Sequence, residues 1–353
     1  MTSKPRSQDG FNPPTLTIVV PCYNEEEVLT ETARRLHELF DELKKGHLVS
    51  ESSRVVFVDD GSRDRTWPII RELAGSSCCF AGIKLSRNLG HQNALLSGLL
   101  YTEGDAVISM DADLQDDLNA IREMLLAYMD GADIVYGVRA SRQHDTAFKR
   151  LTAEGYYKFL RLLGVNIVFN HADYRLMSRR AIEALREFGE VNLFLRGIVP
   201  QLGFTTRLVS YRRDARFAGK SKYPLQKMLM LALDGITSFS VSPLRWITIA
   251  GLVVSMLSFV TGVWALAVRA FGNYAPGWAS TVIPMYFLGG IELLSLGVVG
   301  EYLGKVYLET KRRPRFIIEE VTGQIRTKKF KPSRYNRGTH KPGEKVIPGR
   351  NII

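Results

Sequence analysis

Five short runs rich in Val and Ile, TLTIVVP, RVVFVDD, AGIKLS, DAVISMDAD and ADIVYGVR, recur through about residue 140, each ending in polar residues. Between them lie helix-period segments. EEVLTETARRLHELFDEL places Leu29, Ala33, Leu36, Phe40 and Leu43 at alternating steps of four and three, which lines one face of a helix. Strand and helix in alternation predict an α/β domain, a mainly parallel sheet with helices on both faces. In such sheets ligands sit beyond the carboxyl ends of the strands. The clusters PCYNEE, DDGSRD, SRNLG, DADLQDD and GVRASR all fall at those ends, so five loops converge on one crevice.

No G-x-G-x-x-G follows the first run and no G-x-x-x-x-G-K-[ST] occurs, which disfavours a dinucleotide oxidoreductase or a P-loop NTPase. The second half differs in kind. Leu244–Ala270 and Ala279–Leu303 carry very few charges, and each is long enough to cross a bilayer core of ~30 Å as a helix. MTSKPRSQDGFNPP is polar, so the first half is expected to stay cytoplasmic. Most of the net charge of +11 lies after the second apolar stretch, where a basic segment reads as an anchor on anionic lipid rather than a nucleic-acid site. FGNYAPGW between the stretches has no Lys or Arg, which predicts both termini in the cytoplasm. Cys22, Cys78 and Cys79 predict reduced, structural thiols, and the six histidines show no zinc-ligand spacing.

In VISMDADLQDD an apolar strand ends in a carboxylate cluster, and like charges repel unless a cation or hydrogen bonds offset them. In extended chain, residues two apart point the same way. Asp111 and Asp113 then face one point, with Gln115 following if the extension continues. Hard oxygen ligands suit Mg²⁺ or Mn²⁺ held together with substrate phosphates, so the cluster implies a diphosphate. Asp116 and Asp117 read instead as a solvated loop capping the next helix.

Taken in order, PCYNEEE, VDDGSRDRT, LSRNLGHQNAL, MDADLQD, GVRASR, DYRLMSR and RFAGKSKY, followed by two spans, resemble the polyprenyl-phosphate glycosyltransferases of the GT-A fold, among them bactoprenol glucosyltransferases and dolichyl-phosphate mannose synthases. The resemblance covers roughly residues 15 to 320. It implies inverting transfer of a sugar from a nucleotide donor, UDP-glucose first among the candidates, to a membrane polyprenyl phosphate such as undecaprenyl phosphate. GDP-mannose and a UDP-linked amino-arabinose derivative are alternative donors. A processive polysaccharide synthase is disfavoured by the missing Q-x-x-R-W, and a non-catalytic scaffold has no need of D-x-D.

Carried onto this sequence, the resemblance assigns Pro21, Tyr23 and Glu25 to donor binding, with Phe57 and Asp59 at the base. Asp111, Ala112 and Asp113 form the D-x-D, Gln115 is a further metal ligand, and Arg139, Arg216 and Lys222 lie around the phosphates. Arg142 of GVRASR, with Arg212, Arg213 and Lys220, is expected to meet the anionic acceptor and lipid headgroups. Asp173 stands where inverting members carry a base carboxylate. It reads equally as a base or orienter of the acceptor phosphate, or as a helix cap or ion-pair partner of Arg175.

The predicted organisation is a flexible stretch 1–14, a cytoplasmic catalytic domain 15–223 and an interfacial amphipathic helix 224–243. Spans 244–270 and 279–303 follow, then a juxtamembrane segment 304–325 and a basic, disordered tail 326–353. Gly297, Gly300 and Gly304 permit close helix approach, which fits a homo-oligomer such as a tetramer or pairing within one protomer.

Overall fold

Leu16–Cys22 (β1) is buried along its whole length, as expected of a strand covered on both faces in the middle of a sheet. The computed structural model describes residues 12–139, 171–190, 193–211, 242–270, 278–311 and 313–325. β1 pairs in parallel with Arg54–Asp59 (β2) on one side and with Ala106–Ser109 (β4) on the other. Phe80–Leu85 (β3) lies beyond β2, again parallel. On the far side, His171–Ser178 (β6) runs antiparallel between β4 and Ile134–Arg139 (β5), and Thr206–Tyr211 (β7) pairs in parallel with β5. The eighth strand, Ile318–Thr322 (β8), lies antiparallel on β3 and gives the order β7-β5-β6-β4-β1-β2-β3-β8. The chain order reverses between β1 and β4, and a crevice opens at such a switch point beyond the carboxyl ends.

The helices cover both faces. Leu29–Lys45 (α1), Thr66–Ser76 (α2) and Asn119–Met129 (α4) pack on one side, where Leu36, Phe40, Phe57 and Ile121 share a core. His91–Tyr101 (α3), Arg179–Arg186 (α5) and Leu195–Gln201 (α6) cover the other with Val19, Val58, Leu96 and Ile198. The predicted face of α1 is the observed one: Leu29, Ala33, Leu36, Phe40 and Leu43 are all buried. Fully burying a Leu or Phe side chain contributes about 1.5–3 kcal/mol. Gly98 lets α3 approach the sheet, because a Cβ there would stand 2.3 Å from Val19 Cγ1.

Two long apolar helices, Ser242–Ala270 (α7) and Trp278–Thr310 (α8), follow. Both are long and apolar enough to cross a membrane, and Met256, Phe259, Phe287 and Leu293 are exposed on them. α8 ends at Thr310 rather than at residue 303. The segment expected to be merely juxtamembrane then returns to the domain as β8. Trp67 Nε1 donates to Glu320 Oε2 at 3.0 Å, Lys84 pairs with Glu319 at 3.2 Å, and Ser86 N donates to Ile317 O at 3.0 Å. IIEEVT is short and half polar, as suits an edge strand, and it carries little local signal.

Candidate active site

The crevice loops are tied to one another before they meet any ligand. Asn24 Oδ1 after β1 accepts from Arg63 N at 2.9 Å, and Asn24 N donates to Ser62 Oγ at 3.0 Å. Asp60 after β2 accepts from Leu89 N at 2.7 Å and Gly90 N at 2.9 Å, which fixes the SRNLG loop and the start of α3. Gly61 adopts φ +66°, and a Cβ on it would lie 2.6 Å from Arg87 C and Asn88 N, so only glycine lets these loops close. Tyr23 is exposed at the rim, while Glu25 starts the turn into α1, its carbonyl accepting from Val28 N and Leu29 N.

The D-x-D forms by a turn rather than by continued extension. β4 ends at Ser109, and Leu114 adopts φ +56°, which folds Gln115 back so that its N–H donates to Asp113 Oδ1 at 3.2 Å. Thr32 of α1 donates to Ala112 O at 2.9 Å and pins the loop from below. Burial raises the Asp111 carboxyl above its ordinary range; His91 opposes this, and Asp173 and Asp113 add to it. A carboxylate raised by like charges is one that a cation would stabilise. Gln115 is buried, and its Oε1 is an acceptor with no hydrogen-bond partner among the described residues. No three His, Cys, Asp or Glu side chains gather into a cage among the described residues. Two carboxylates and one amide oxygen nevertheless fit Mg²⁺ or Mn²⁺, which leaves positions for phosphate oxygens.

Asp116 is not the helix cap expected of it. It is buried, it accepts from Tyr211 Oη at 2.7 Å, and burial first, then Asp111, pushes its carboxyl up to about 6. Asp117 lies just before the Leu118 cap position of α4, and its Oδ1 accepts from Asn119 N, the first amide of the helix, at 2.9 Å. Arg139, at the end of β5, lies against this pair: burial raises both the Asp116 carboxyl and the Tyr211 hydroxyl, and the charge of Arg139 only partly offsets that rise. Arg139 Nε is a buried donor with no partner among the described residues.

Asp173 begins neither a helix nor a solvent-facing loop. It lies near the start of β6, and Ser178 caps the next helix. Its carboxylate is buried and accepts from Arg175 Nη2 at 2.6 Å, Arg196 Nη2 and Gln92 Nε2 at 3.1 Å each, and Arg196 Nε at 3.3 Å. His91 Nε2 stands 3.5 Å from Asp173 and 3.6 Å from Asp111, linking this carboxylate to the D-x-D. Burial alone would raise Asp173, yet His91, Arg196 and Arg175 hold it well below the usual carboxylate range. The ion pair with Arg175 is therefore realised, and a carboxylate so depressed is a weak proton acceptor.

Tyr23, Glu25, Asp111, Asp113, Gln115, Arg139 and Asp173 come from the loops and strand ends of the crevice edge. Phe57 does not face it: it is fully buried beside Phe80, ring centroids 6.0 Å apart, because it points into the core from β2. Pro21 and the Ala112 methyl are likewise buried, leaving only their backbone near the mouth. Asp59 is buried and accepts from Ser62 N at 3.3 Å, shaping the turn. Arg142, Arg212, Arg213, Arg216, Lys220, Lys222 and residues 224–241 of the helix expected at 224–243 lie outside the described residues, and Ser242 and Pro243 begin α7. The sequence reading missed His91, Gln92, Arg196 and Tyr211. His91 and Gln92 follow SRNLG, whose place at a strand end was a usable signal; Arg196 in NLFLRG offered none.

Residues 17–186 match Glycosyl transferase family 2. The chain is 51% identical over 308 residues to the uncharacterized glycosyltransferase YkoT of Bacillus subtilis (strain 168), covering 87% of this chain and 91% of that protein. It is 42% identical over 306 residues to the bactoprenol glucosyl transferase of Shigella phage SfX, with 86% and 98% covered. Identity to a prophage bactoprenol glucosyl transferase homolog of Escherichia coli (strain K12) is 41% over 308 residues, with 87% and 99% covered. The chain belongs to glycosyltransferase family 2, and its sheet is the GT-A fold. It is a glycosyltransferase.

Proposed function

We propose that this enzyme transfers glucose from UDP-glucose to a membrane polyprenyl phosphate, with inversion at the anomeric carbon. The observation that carries the reading is the turn after β4 that folds Gln115 back onto Asp113 and leaves its buried Oε1 without a hydrogen-bond partner among the described residues, while Asp111 lies next to His91 in the same mouth. The 41–42% identity to proteins named bactoprenol glucosyl transferase, over nearly their whole length, supports the acceptor and the sugar.

Asp111, Asp113 and Gln115 would hold Mg²⁺ or Mn²⁺, which when bound offsets the charge gathering on the leaving diphosphate. Tyr23 and Glu25 at the rim are suited to the donor's nucleoside end. The acceptor is a phosphate monoester with a second pKa near ~6, so it arrives largely ionised and needs no strong base. That agrees with an Asp173 engaged by two arginines.

Membrane attachment is read from α7 and α8. β8 follows α8 in the chain yet pairs with β3 of the sheet, so any membrane crossings between Tyr211 and Ile318 must be even in number. This supports two spans with the catalytic domain on one side, the cytoplasmic side on the charge pattern. A Cβ on Gly297, Gly300 or Gly304 would meet nothing within 4 Å among the described residues, and that open face is where we place contact with a second copy.

The test is transfer of label from UDP-glucose into chloroform-extractable, mild-acid-labile lipid by membranes containing the enzyme. Label should appear with Mg²⁺ or Mn²⁺ and vanish on chelation. Label from GDP-mannose or a UDP-amino-arabinose derivative alone would reassign the donor, and none from any donor would overturn the reading.

A further inference from the structure

Asp173 carries one negative charge and is shared by two guanidiniums. Arg175 is the inner one, fully buried, with Nη2 2.6 Å from Oδ1. Its charge and that of Asp173 balance inside the protein. Arg196 is the outer one: Nε and Nη2 lie 3.3 and 3.1 Å from the same carboxylate, and its side chain remains 39% exposed. Arg196 thus shares a carboxylate that Arg175 already pairs with, and it is the exposed member of the three.

Two further bonds fix where Arg196 stands. Leu195 N donates to Gln92 Oε1 at 3.1 Å, and Gln92 Nε2 donates to Asp173 Oδ2 at 3.1 Å, so the first turn of α6 is stitched to the start of α3. The carboxylate that Arg196 holds lies 3.5 Å from His91 Nε2, which is itself 3.6 Å from Asp111, so Arg196 stands beside the D-x-D at the crevice mouth. The reaction brings two anions together there. A metal ion on the aspartates would serve the diphosphate, but the phosphate monoester arriving from the other side needs a cation of its own. A guanidinium offers planar, paired donors to a phosphate, which an ammonium does not.

We propose that Arg196 receives the phosphate monoester of the acceptor, and that Asp173 is a positioning residue that aims its guanidinium. Asp173 acts as an anchor on this account, and no proton passes to it. The inference deepens the polyprenyl-phosphate reading and rests on it.

The test uses the full chain in detergent and measures equilibrium binding of dodecyl phosphate and, separately, of UDP-glucose, together with initial rates. Arg196→Ala should weaken dodecyl phosphate binding tenfold or more and raise the acceptor KM by a similar factor, while UDP-glucose binding stays within twofold. Arg196→Lys should recover part of the loss. Asp173→Asn should raise acceptor KM more than it lowers kcat, and should add little further loss in an Arg196→Ala background. Unchanged dodecyl phosphate binding by Arg196→Ala would overturn the inference, as would a loss confined to UDP-glucose, which would assign Arg196 to the diphosphate. A wild-type protein that binds no phosphate monoester would instead overturn the polyprenyl-phosphate reading, and this inference with it.

Discussion

Asp173→Ala leaves Arg175 charged and fully buried, with Nη1 to Leu195 O at 3.4 Å as its remaining side-chain hydrogen bond among the described residues. Removing one partner of a buried ion pair destabilises by about 3–5 kcal/mol, because the other charge stays desolvated. For a domain of this size each kcal/mol moves the midpoint by about 2–4 °C, so the variant should unfold roughly 6–20 °C below wild type. Thermal unfolding in detergent, followed by tryptophan fluorescence at one fixed scan rate, reads this directly. Asp173 is held below its unfolded value near ~3.9, so its contribution is complete above that pH and lost as pH falls through the folded value. The gap between wild type and variant should thus persist from pH 5 to 8 and close in acid. Adding Arg175→Met removes the stranded charge and should restore much of the loss, since an apolar replacement of a buried pair is often neutral. An Asp173→Ala midpoint within about 2 °C of wild type, or a double variant less stable than the single, would refute the reasoning.

Asp113→Asn should lower the single-turnover rate by about 10²–10³-fold, the scale of one lost electrostatic contact in a transition state. Asp173→Asn, assayed below its unfolding temperature, should lose less; equal losses would count against the separate roles. Asp116, raised from 3.8 to about 6 by burial, favours the folded state when protonated. In EDTA, stability should fall by up to about 3 kcal/mol as pH rises through that window, and Asp116→Asn should flatten the fall in urea titrations. A flexible eight-residue insertion between Thr310 and Pro314 frees the domain from the end of α8. It should raise the KM for a long-chain acceptor in vesicles and leave a short soluble acceptor phosphate unaffected; equal effects on both would reduce β8 to a stabilising strand. Gly98→Val should destabilise by about 1–3 kcal/mol or abolish folding, since its Cβ meets Val19 at 2.3 Å; a wild-type midpoint would contradict that packing.

Local pattern decided a good deal here. The five Val- and Ile-rich runs became β1 to β5 and the apolar stripe of α1 became its buried face, because strand and helix periods of two and 3.6 are written residue by residue. The two long apolar helices were legible for the same reason, as were the strand-end positions of Asp111, Asp113 and Arg139. What the sequence could not contain was the direction of a side chain relative to distant chain. Phe57 and Asp111 each lie two residues from the end of a strand, one before it and one beyond it, yet the first points into the core and the second toward the mouth. Asp173 reads alike as base, cap or ion-pair partner until β6 sets Arg175 beside it and α6 delivers Arg196 from 23 positions further on. Glu320 meets Trp67 across 253 positions, a contact that only the closing of the sheet creates. Periodicity is a property of neighbours along the chain, whereas a site is a property of neighbours in space. Only the packed fold, where burial and charge balance are paid together, selects among the pairings the sequence allows.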